Sequence, residues 1–252
     1  MFGLLDWFRR RRALRQPFPE AWRDILRAEV PFYARLRGIA VRRFEDKLKV
    51  FARTKHFIAA GDMVLDDTVK VLISAAAARL VMNLPDEHYA RLTEVVVYPA
   101  AYHHGEKDRV ILGEAHGWGT VVLAYDAVVQ GLRNSQDGHD TATHEFAHVL
   151  DVADGAFDGT PVLESTAAYA PWVKVMTREY TRMKSRRGMA KKAVLRKYGA
   201  TNEAEFFAVA TETFFEKPRQ MKDKHPELYE ALRDHYELDP LAELEEPVEA
   251  EG

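Results

Sequence analysis

Apolar residues recur at helical spacing through the first third of the chain. The clearest stripe predicts a helix over residues 66–84, which Asp66 or Asp67 can cap. Its apolar positions are Val69, Leu72, Ile73, Ala76 and Leu80. Shorter helical stretches are predicted at residues 21–30, 31–37 and 45–54. The N-terminal third is therefore expected to be helical.

The pattern changes after residue 90. Three short runs rich in β-branched residues, separated by Gly, Pro and His, predict three strands of one small sheet. The runs are Glu94–Pro99, Arg109–Gly113 and Thr120–Tyr125. Helical periodicity resumes at about Asp140 and continues, with interruptions, to about Tyr236. The expected fold class is α+β, mostly α, with a small sheet between helical parts.

The amino-acid composition limits the kinds of metal site and catalytic group that the chain can have. The chain has 252 residues and no cysteine, which excludes disulfides, Cys-ligated zinc, iron–sulfur clusters and thiol catalysis. Any metal must therefore be held by His, Asp or Glu. A net charge of -3 argues against a whole-surface nucleic-acid binder, and no uncharged stretch is long enough for a transmembrane segment. We expect a protein of a reducing compartment, the cytoplasm.

The two ends differ in charge from the body of the chain. Residues 1–16 carry five arginines against one aspartate, and residues 241–252 carry five glutamates and no basic residue. The basic end is expected to be a flexible, solvated terminus, with a short amphipathic segment on an anionic membrane or an acidic partner as the alternative. The acidic end is expected to be a disordered tail.

The sequence His144-Glu145-Phe146-Ala147-His148 lies in a predicted helix over residues 140–152. Residues four apart share a helix face, so both imidazoles can bind one ion at about 2.0–2.1 Å. Glu145 can then reach an attacking water without binding the metal, and chance would produce such a pattern roughly 0.03 times in this chain. Asp151 follows one turn later and can hydrogen-bond a ligand imidazole. The alternative is a solvated helix face with two surface histidines.

A third ligand must come from elsewhere, because catalytic zinc usually takes three protein ligands. An aromatic-rich helix predicted after residue 202 offers Glu205 and Glu212, which are seven apart and share a face. Spacing alone does not choose between them. The alternative is an ordinary glutamate near a helix N-terminus, favoured by the macrodipole.

These motifs together resemble a known family. The pieces are Val95-Val-Val-Tyr-Pro99, His144-Glu-Phe-Ala-His-Val-Leu-Asp151 and Glu203-Ala-Glu205-Phe-Phe-Ala-Val. They resemble the Mlc titration factor A (MtfA) family of zinc-dependent bacterial peptidases, over most of the chain except its two ends. The central pieces are also similar to the catalytic domain of anthrax lethal factor, which shares H-E-F-x-H-x-x-D and the N-E-A-E-F-F-A run.

The resemblance implies a set of roles. It implies a Zn²⁺ ion held by His144, His148 and Glu205, so that the third ligand is Glu205 and not Glu212. It also implies that Glu145 is the general base and that Tyr198 assists the reaction. One departure concerns a zinc-blocking histidine of some members, for which residues 105–113 supply no counterpart.

The same resemblance implies an architecture and a function. We expect a zincin-like domain with a three- to four-stranded sheet over residues 17–240, divided into N-terminal helices (about 17–90) and a catalytic part (about 91–240). The implied function is aminopeptidase-type hydrolysis of short peptides, with a regulatory role through binding of a transcriptional repressor such as Mlc.

Competing interpretations stay open from the sequence. The chain could act mainly by sequestering a repressor, or could hydrolyse a non-peptide bond, although it has no phosphate-binding glycine loop. His103-His104 is a weak second metal site, because adjacent strand residues point to opposite faces. Residues 178–197 are strongly basic and fit a solvated helix face or an acidic partner. The strand Thr120–Tyr125 is predicted to be the sheet edge that binds a peptide.

Overall fold

The computed structural model describes residues 4–103, 110–111, 113–116, 119–134, 136–185 and 193–245. Helices account for most of this part of the chain. They are α1 (Leu4–Arg15), α2 (Glu20–Glu29), α3 (Gly38–Thr54), α4 (Asp67–Leu80), α5 (Tyr125–Arg133), α6 (Thr141–Asp151), α7 (Thr166–Ser185), α8 (Glu203–Glu216), α9 (Pro218–Lys224), α10 (Pro226–Tyr236) and α11 (Pro240–Glu245). None of these described helices is both long and apolar enough to cross a membrane.

The described strands form a four-stranded sheet and a separate two-stranded ribbon. The strands are β1 (His56–Ala59), β2 (Glu94–Tyr98), β3 (Tyr102–His103), β4 (Val110–Ile111), β5 (Gly113–His116) and β6 (Thr120–Ala124). The larger sheet has the order β1-β2-β6-β5, in which β1, β2 and β6 are parallel and β5 is antiparallel. The expected fold class, α+β and mostly helical with a small sheet, is confirmed.

Two strand predictions need correction. The run Arg109–Gly113 does not join the main sheet as one strand, because Val110–Ile111 pairs with Tyr102–His103 in the ribbon and a new strand starts at Gly113. The strand Thr120–Tyr125 is not an edge, because β6 lies between β2 and β5. Of the strands that the structure describes, β1 and β5 are the outermost in this sheet.

Helix α4 occupies the centre of the molecule. Asp66 caps it by accepting a hydrogen bond from the Val69 backbone at 2.9 Å, as the sequence predicts. Its side chains are buried on nearly every face, and it packs against α2, α3, α5 and α6. Phe146 of α6 reaches this core and contacts the rings of Phe51 and Tyr89, with centroids 5.5 and 5.8 Å apart. The N-terminal helices therefore support the helix that bears the histidine pair.

Both ends of the chain contain helices where they are described. Residues Leu4–Arg15 form a helix that packs against α3 through the buried Ala13. At the other end α11 extends to Glu245, and Leu241 is buried in the core. His104, most of residues 105–113 and tail residues 246–252 lie outside the described residues. The division into a flexible start, one domain and a tail stays a prediction.

Candidate metal centre

Helix α6 brings the two histidines together. Asp140 starts the helix by accepting hydrogen bonds from the backbone and hydroxyl of Thr143, at 3.0 and 2.7 Å. One turn separates His144 from His148, and their Nε2 atoms lie 3.1 Å apart. Both imidazoles are buried. The i, i+4 spacing thus places two nitrogen donors at one point, as predicted.

Helix α8 supplies the third donor. Asn202 caps this helix by accepting a hydrogen bond from the Glu205 backbone at 2.8 Å. The Glu205 carboxylate lies 2.9 Å from Nε2 of His144 and 3.4 Å from Nε2 of His148. Glu205, rather than Glu212, therefore completes the group, in the arrangement that the resemblance implies.

These three donors fit one divalent cation. All their ligand atoms lie within 4.8 Å of one another. Ligand atoms that bind a tetrahedral ion at 2.0–2.2 Å lie about 3.3 Å apart, close to the observed separations. Two imidazoles and one carboxylate are also a ligand set that catalytic zinc sites use. The structure therefore brings together a group that can hold a metal ion.

Glu212 lies behind the metal-facing side of the site. Its Oε1 is 2.6 Å from Nδ1 of His144, and its Oε2 accepts a hydrogen bond from the Asp140 backbone at 2.9 Å. Arg196 pairs with the same carboxylate, which is completely buried. A carboxylate on Nδ1 fixes the tautomer whose Nε2 faces the metal position. The sequence pointed to Glu212 only as an alternative ligand.

The carboxylates around His144 shift the pKa values of the metal-ligand group. Burial lowers the pKa of His144, but its hydrogen bonds with Glu205 and Glu212 outweigh this and raise the pKa to about 10. Burial raises the pKa of Glu205, and its hydrogen bonds with His144 and His148 bring it well below the usual range. The site therefore favours positive charge between its carboxylates, which a bound cation would provide.

Asp151 lies at the end of α6, where it is fully buried. Its Oδ2 accepts a hydrogen bond from the Gly159 backbone at 3.0 Å. Its Oδ1 and Nδ1 of His148 are both buried and have no hydrogen-bond partner among the described residues. Burial raises the pKa of Asp151 to about 6, against the opposing effects of Gly159 and His148. Its predicted hydrogen bond to a ligand imidazole stays a prediction.

The two predicted catalytic side chains, Glu145 and Tyr198, have different neighbours in the structure. A Cβ atom at Gly113 would lie 2.5 Å from Cγ of Glu145, so the backbone of edge strand β5 runs directly beside this carboxylate. The Tyr198 hydroxyl donates a hydrogen bond to Oε1 of Glu205 at 3.0 Å, and its ring lies 5.9 Å from that of His144. Tyr198 therefore contacts the metal-ligand group, and Glu145 lies between its neighbour His144 in α6 and strand β5. Their catalytic roles stay predictions.

The structure adds one residue that sequence reasoning missed. The Phe157 ring lies 4.9 Å from the His148 ring and is 52% exposed. No periodicity marks this position, because it lies in an irregular segment after α6. Because Phe157 contacts the imidazole of His148, its ring lines one side of the site.

Comparison with known proteins decides the family. The sequence profile of the glucose-regulated metallo-peptidase M90 family matches residues 5–237. The chain belongs to this metallopeptidase family. Its relatives include the uncharacterized protein slr2042 of Synechocystis, 39% identical over 94% of this chain and 90% of the relative. Mlc titration factor A of Yersinia pestis and of Yersinia pseudotuberculosis is 26% identical over 88% of this chain and 86% of the relative. The predicted resemblance to that family is confirmed.

Among the described residues, one group of His, Asp and Glu side chains is arranged so that it could hold a metal ion. That group is His144, His148 and Glu205. The proposed second site at His103-His104 is not tested, because His104 lies outside the described residues.

Proposed function

We propose that the protein is a cytoplasmic zinc-dependent peptidase that removes residues from the N-terminus of short peptides. The observation that carries this proposal is the convergence of three donors from His144, His148 and Glu205. Tyr198 is hydrogen-bonded to Glu205, and Glu145 lies beside the β5 backbone at Gly113. Family membership supports peptide hydrolysis, and the ligand chemistry supports zinc. Aminopeptidase specificity rests on the resemblance to Mlc titration factor A.

The chain's own residues have separate tasks in the proposed reaction. Zinc bound at this site would lower the pKa of water and polarise the scissile carbonyl. Glu145 would accept a proton from the attacking water and return it to the leaving amine. Tyr198 would turn its hydroxyl from Glu205 towards the developing oxyanion and donate a hydrogen bond to it. Glu212 would keep the His144 ring in its binding orientation.

Strand β5 is the proposed binding edge for the peptide backbone. Among the described strands it pairs with β6 alone, and its Gly113 lies beside Glu145. An extended peptide could therefore add to this edge through backbone hydrogen bonds and pass the general base. β5 takes the place of β6, the strand that the sequence predicted as the peptide-binding edge, because β6 has a strand on each side.

The proposal can be tested with one substitution. Glu145→Gln should retain one zinc ion per chain but lose hydrolysis of aminoacyl p-nitroanilides. Comparison of free and N-acetylated substrates would test the aminopeptidase assignment, because only an aminopeptidase needs the free amine. Cleavage by the variant at the parental rate would remove Glu145 from the role of general base.

A second function is favoured by the names of the relatives. Mlc titration factor A is named for Mlc, so we propose that this chain also binds a transcriptional repressor of that kind. Binding would be regulatory and separate from hydrolysis. A titration of the purified repressor with Glu145→Gln protein tests this, because retained binding without hydrolysis separates the two activities. Absence of binding by both forms would contradict the proposal.

A further inference from the structure

Helix α1 exposes large apolar side chains. Trp7 and Phe8 are 47% and 54% exposed, and Leu14 is 37% exposed. The rings of Trp7 and Phe8 pack edge to face with centroids 4.8 Å apart, so they project from the surface together. This patch contributes little to the folded core, and exposed apolar groups that cluster in this way commonly mark an interaction surface.

Arginines lie on the same outward side of α1. Helical spacing places Arg11 and Arg15 between the directions of Trp7 and Phe8, while the buried Ala13 faces α3. The Arg11 guanidinium lies 4.8 Å from the centre of the Trp7 ring. The exposed side of the helix therefore interleaves cations with aromatic rings.

Helix α1 and its neighbour α3 are basic segments of a chain with a negative net charge. α1 carries five arginines against one aspartate, and the neighbouring α3 carries five basic residues against two acidic ones. The whole chain has a net charge of -3, so the remainder is strongly acidic. A negatively charged surface would attract the α1 side of the molecule and repel the rest, which would orient the protein.

We propose that α1 docks the protein onto an anionic lipid bilayer. Trp7 and Phe8 would enter the interfacial region, where aromatic rings are favoured, and the exposed arginines would contact lipid phosphates. The helix has 12 residues, fewer than a membrane span requires, so it would lie on the surface. A nucleic acid would also attract the arginines, but it offers no hydrocarbon region for Leu14 and the ring pair. The proposal is independent of peptidase activity.

Sedimentation of the full-length protein with lipid vesicles tests this proposal. We expect binding to vesicles of phosphatidylcholine and phosphatidylglycerol, little binding to pure phosphatidylcholine, and release by high salt. The double variant Trp7→Ala/Phe8→Ala should bind at least about tenfold more weakly, because it removes two apolar side chains. Arg11→Gln/Arg15→Gln should weaken binding about fivefold for each arginine.

The matched control removes two exposed apolar side chains elsewhere, as Val64→Ala/Val173→Ala. Its vesicle affinity should equal that of the parent. The proposal is overturned if the parent does not bind anionic vesicles at low salt, if the control loses as much affinity as the α1 variants, or if a short DNA duplex displaces the vesicles at equal phosphate concentration. Unfolding midpoints establish that each variant is folded, and the arginine variant tests α1 even if the aromatic variant misfolds.

Discussion

Oε1 of Glu212 lies 2.6 Å from Nδ1 of His144, on the opposite side of the imidazole from Glu205. The other oxygen of Glu212 accepts a hydrogen bond from the backbone of Asp140, the residue that caps α6. The buried carboxylate of Glu212 therefore fixes both the first turn of α6 and the orientation of the His144 ring.

Glu212→Gln should weaken zinc binding about 10- to 100-fold, the usual effect of removing a partner of a ligand histidine. A glutamine would present one NH₂ group where the carboxylate now accepts from His144 and Asp140. Competition against a chromophoric chelator at neutral pH would measure the zinc affinity.

Glu203→Gln is the matched control for this change. Glu203 begins the same helix but is exposed and outside the metal group, so its zinc affinity should equal that of the parent. The unfolding midpoint is needed as well, because Glu212→Gln also leaves Arg196 without its ion-pair partner. Parental zinc affinity in a folded Glu212→Gln protein would contradict the orienting role.

Local patterns predicted helix α6 and the proximity of its two histidines. The spacing of His144 and His148 is a property of one helix. The same holds for α4 and its Asp66 cap. Such features are visible in sequence because every interaction involved lies within a few residues.

The features that sequence reasoning missed depend on distant partners. β1 has four residues and is held by pairing with β2, which lies almost forty residues later. The exclusion of β6 from the sheet edge depends on where β5 pairs. The orienting role of Glu212 needs α6 and α8 to pack face to face, and helical spacing shows only that Glu205 and Glu212 share a side.

Tyr198→Phe should lower kcat about 10²- to 10³-fold if the hydroxyl stabilises the oxyanion. KM should change little, because that hydrogen bond would form only in the transition state. Steady-state hydrolysis of an aminoacyl p-nitroanilide, with the zinc content of each preparation, would measure both effects.

Tyr169→Phe provides the comparison, since the Tyr169 hydroxyl accepts a hydrogen bond from the Leu163 backbone and is outside the metal group. Its kcat should equal that of the parent. A Tyr198→Phe enzyme that raises KM at constant kcat would assign Tyr198 to substrate binding instead.

Gly113→Ala should impair hydrolysis more than folding. The added methyl would lie 2.5 Å from Cγ and 2.9 Å from Oε1 of Glu145, so this flexible side chain must move. Displacing the general base while leaving the three metal ligands in place should lower kcat at least about tenfold. Zinc content and the unfolding midpoint should stay near the parental values. Parental activity would show that the β5 backbone does not position Glu145.

The buried carboxyl group of Glu216, which is outside the metal-ligand group, should make the free energy of unfolding depend on pH. Its Oε2 accepts a hydrogen bond from the His139 backbone at 2.9 Å, and its Oε1 is buried without a hydrogen-bond partner among the described residues. Burial and the nearby Asp140 and Asp137 raise its pKa to about 8. The folded state therefore binds a proton more tightly than the unfolded chain, whose glutamates titrate near 4.3. The contribution of Glu216 to the free energy of unfolding should therefore fall as the pH rises from about 4.3 to about 8.

Glu216→Gln should remove this part of the pH dependence. The variant should be more stable than the parent at pH values above 8, by on the order of 1–3 kcal/mol, with the gain disappearing as the pH falls towards about 4. Denaturant unfolding of parent and variant at each pH isolates the effect, because the contributions of Asp140 and other shared groups largely cancel in the difference. Glu203→Gln, at an exposed position of the same helix, should give a difference near zero throughout. A Glu216→Gln difference that is constant with pH would mean that Glu216 keeps an ordinary pKa in the fold.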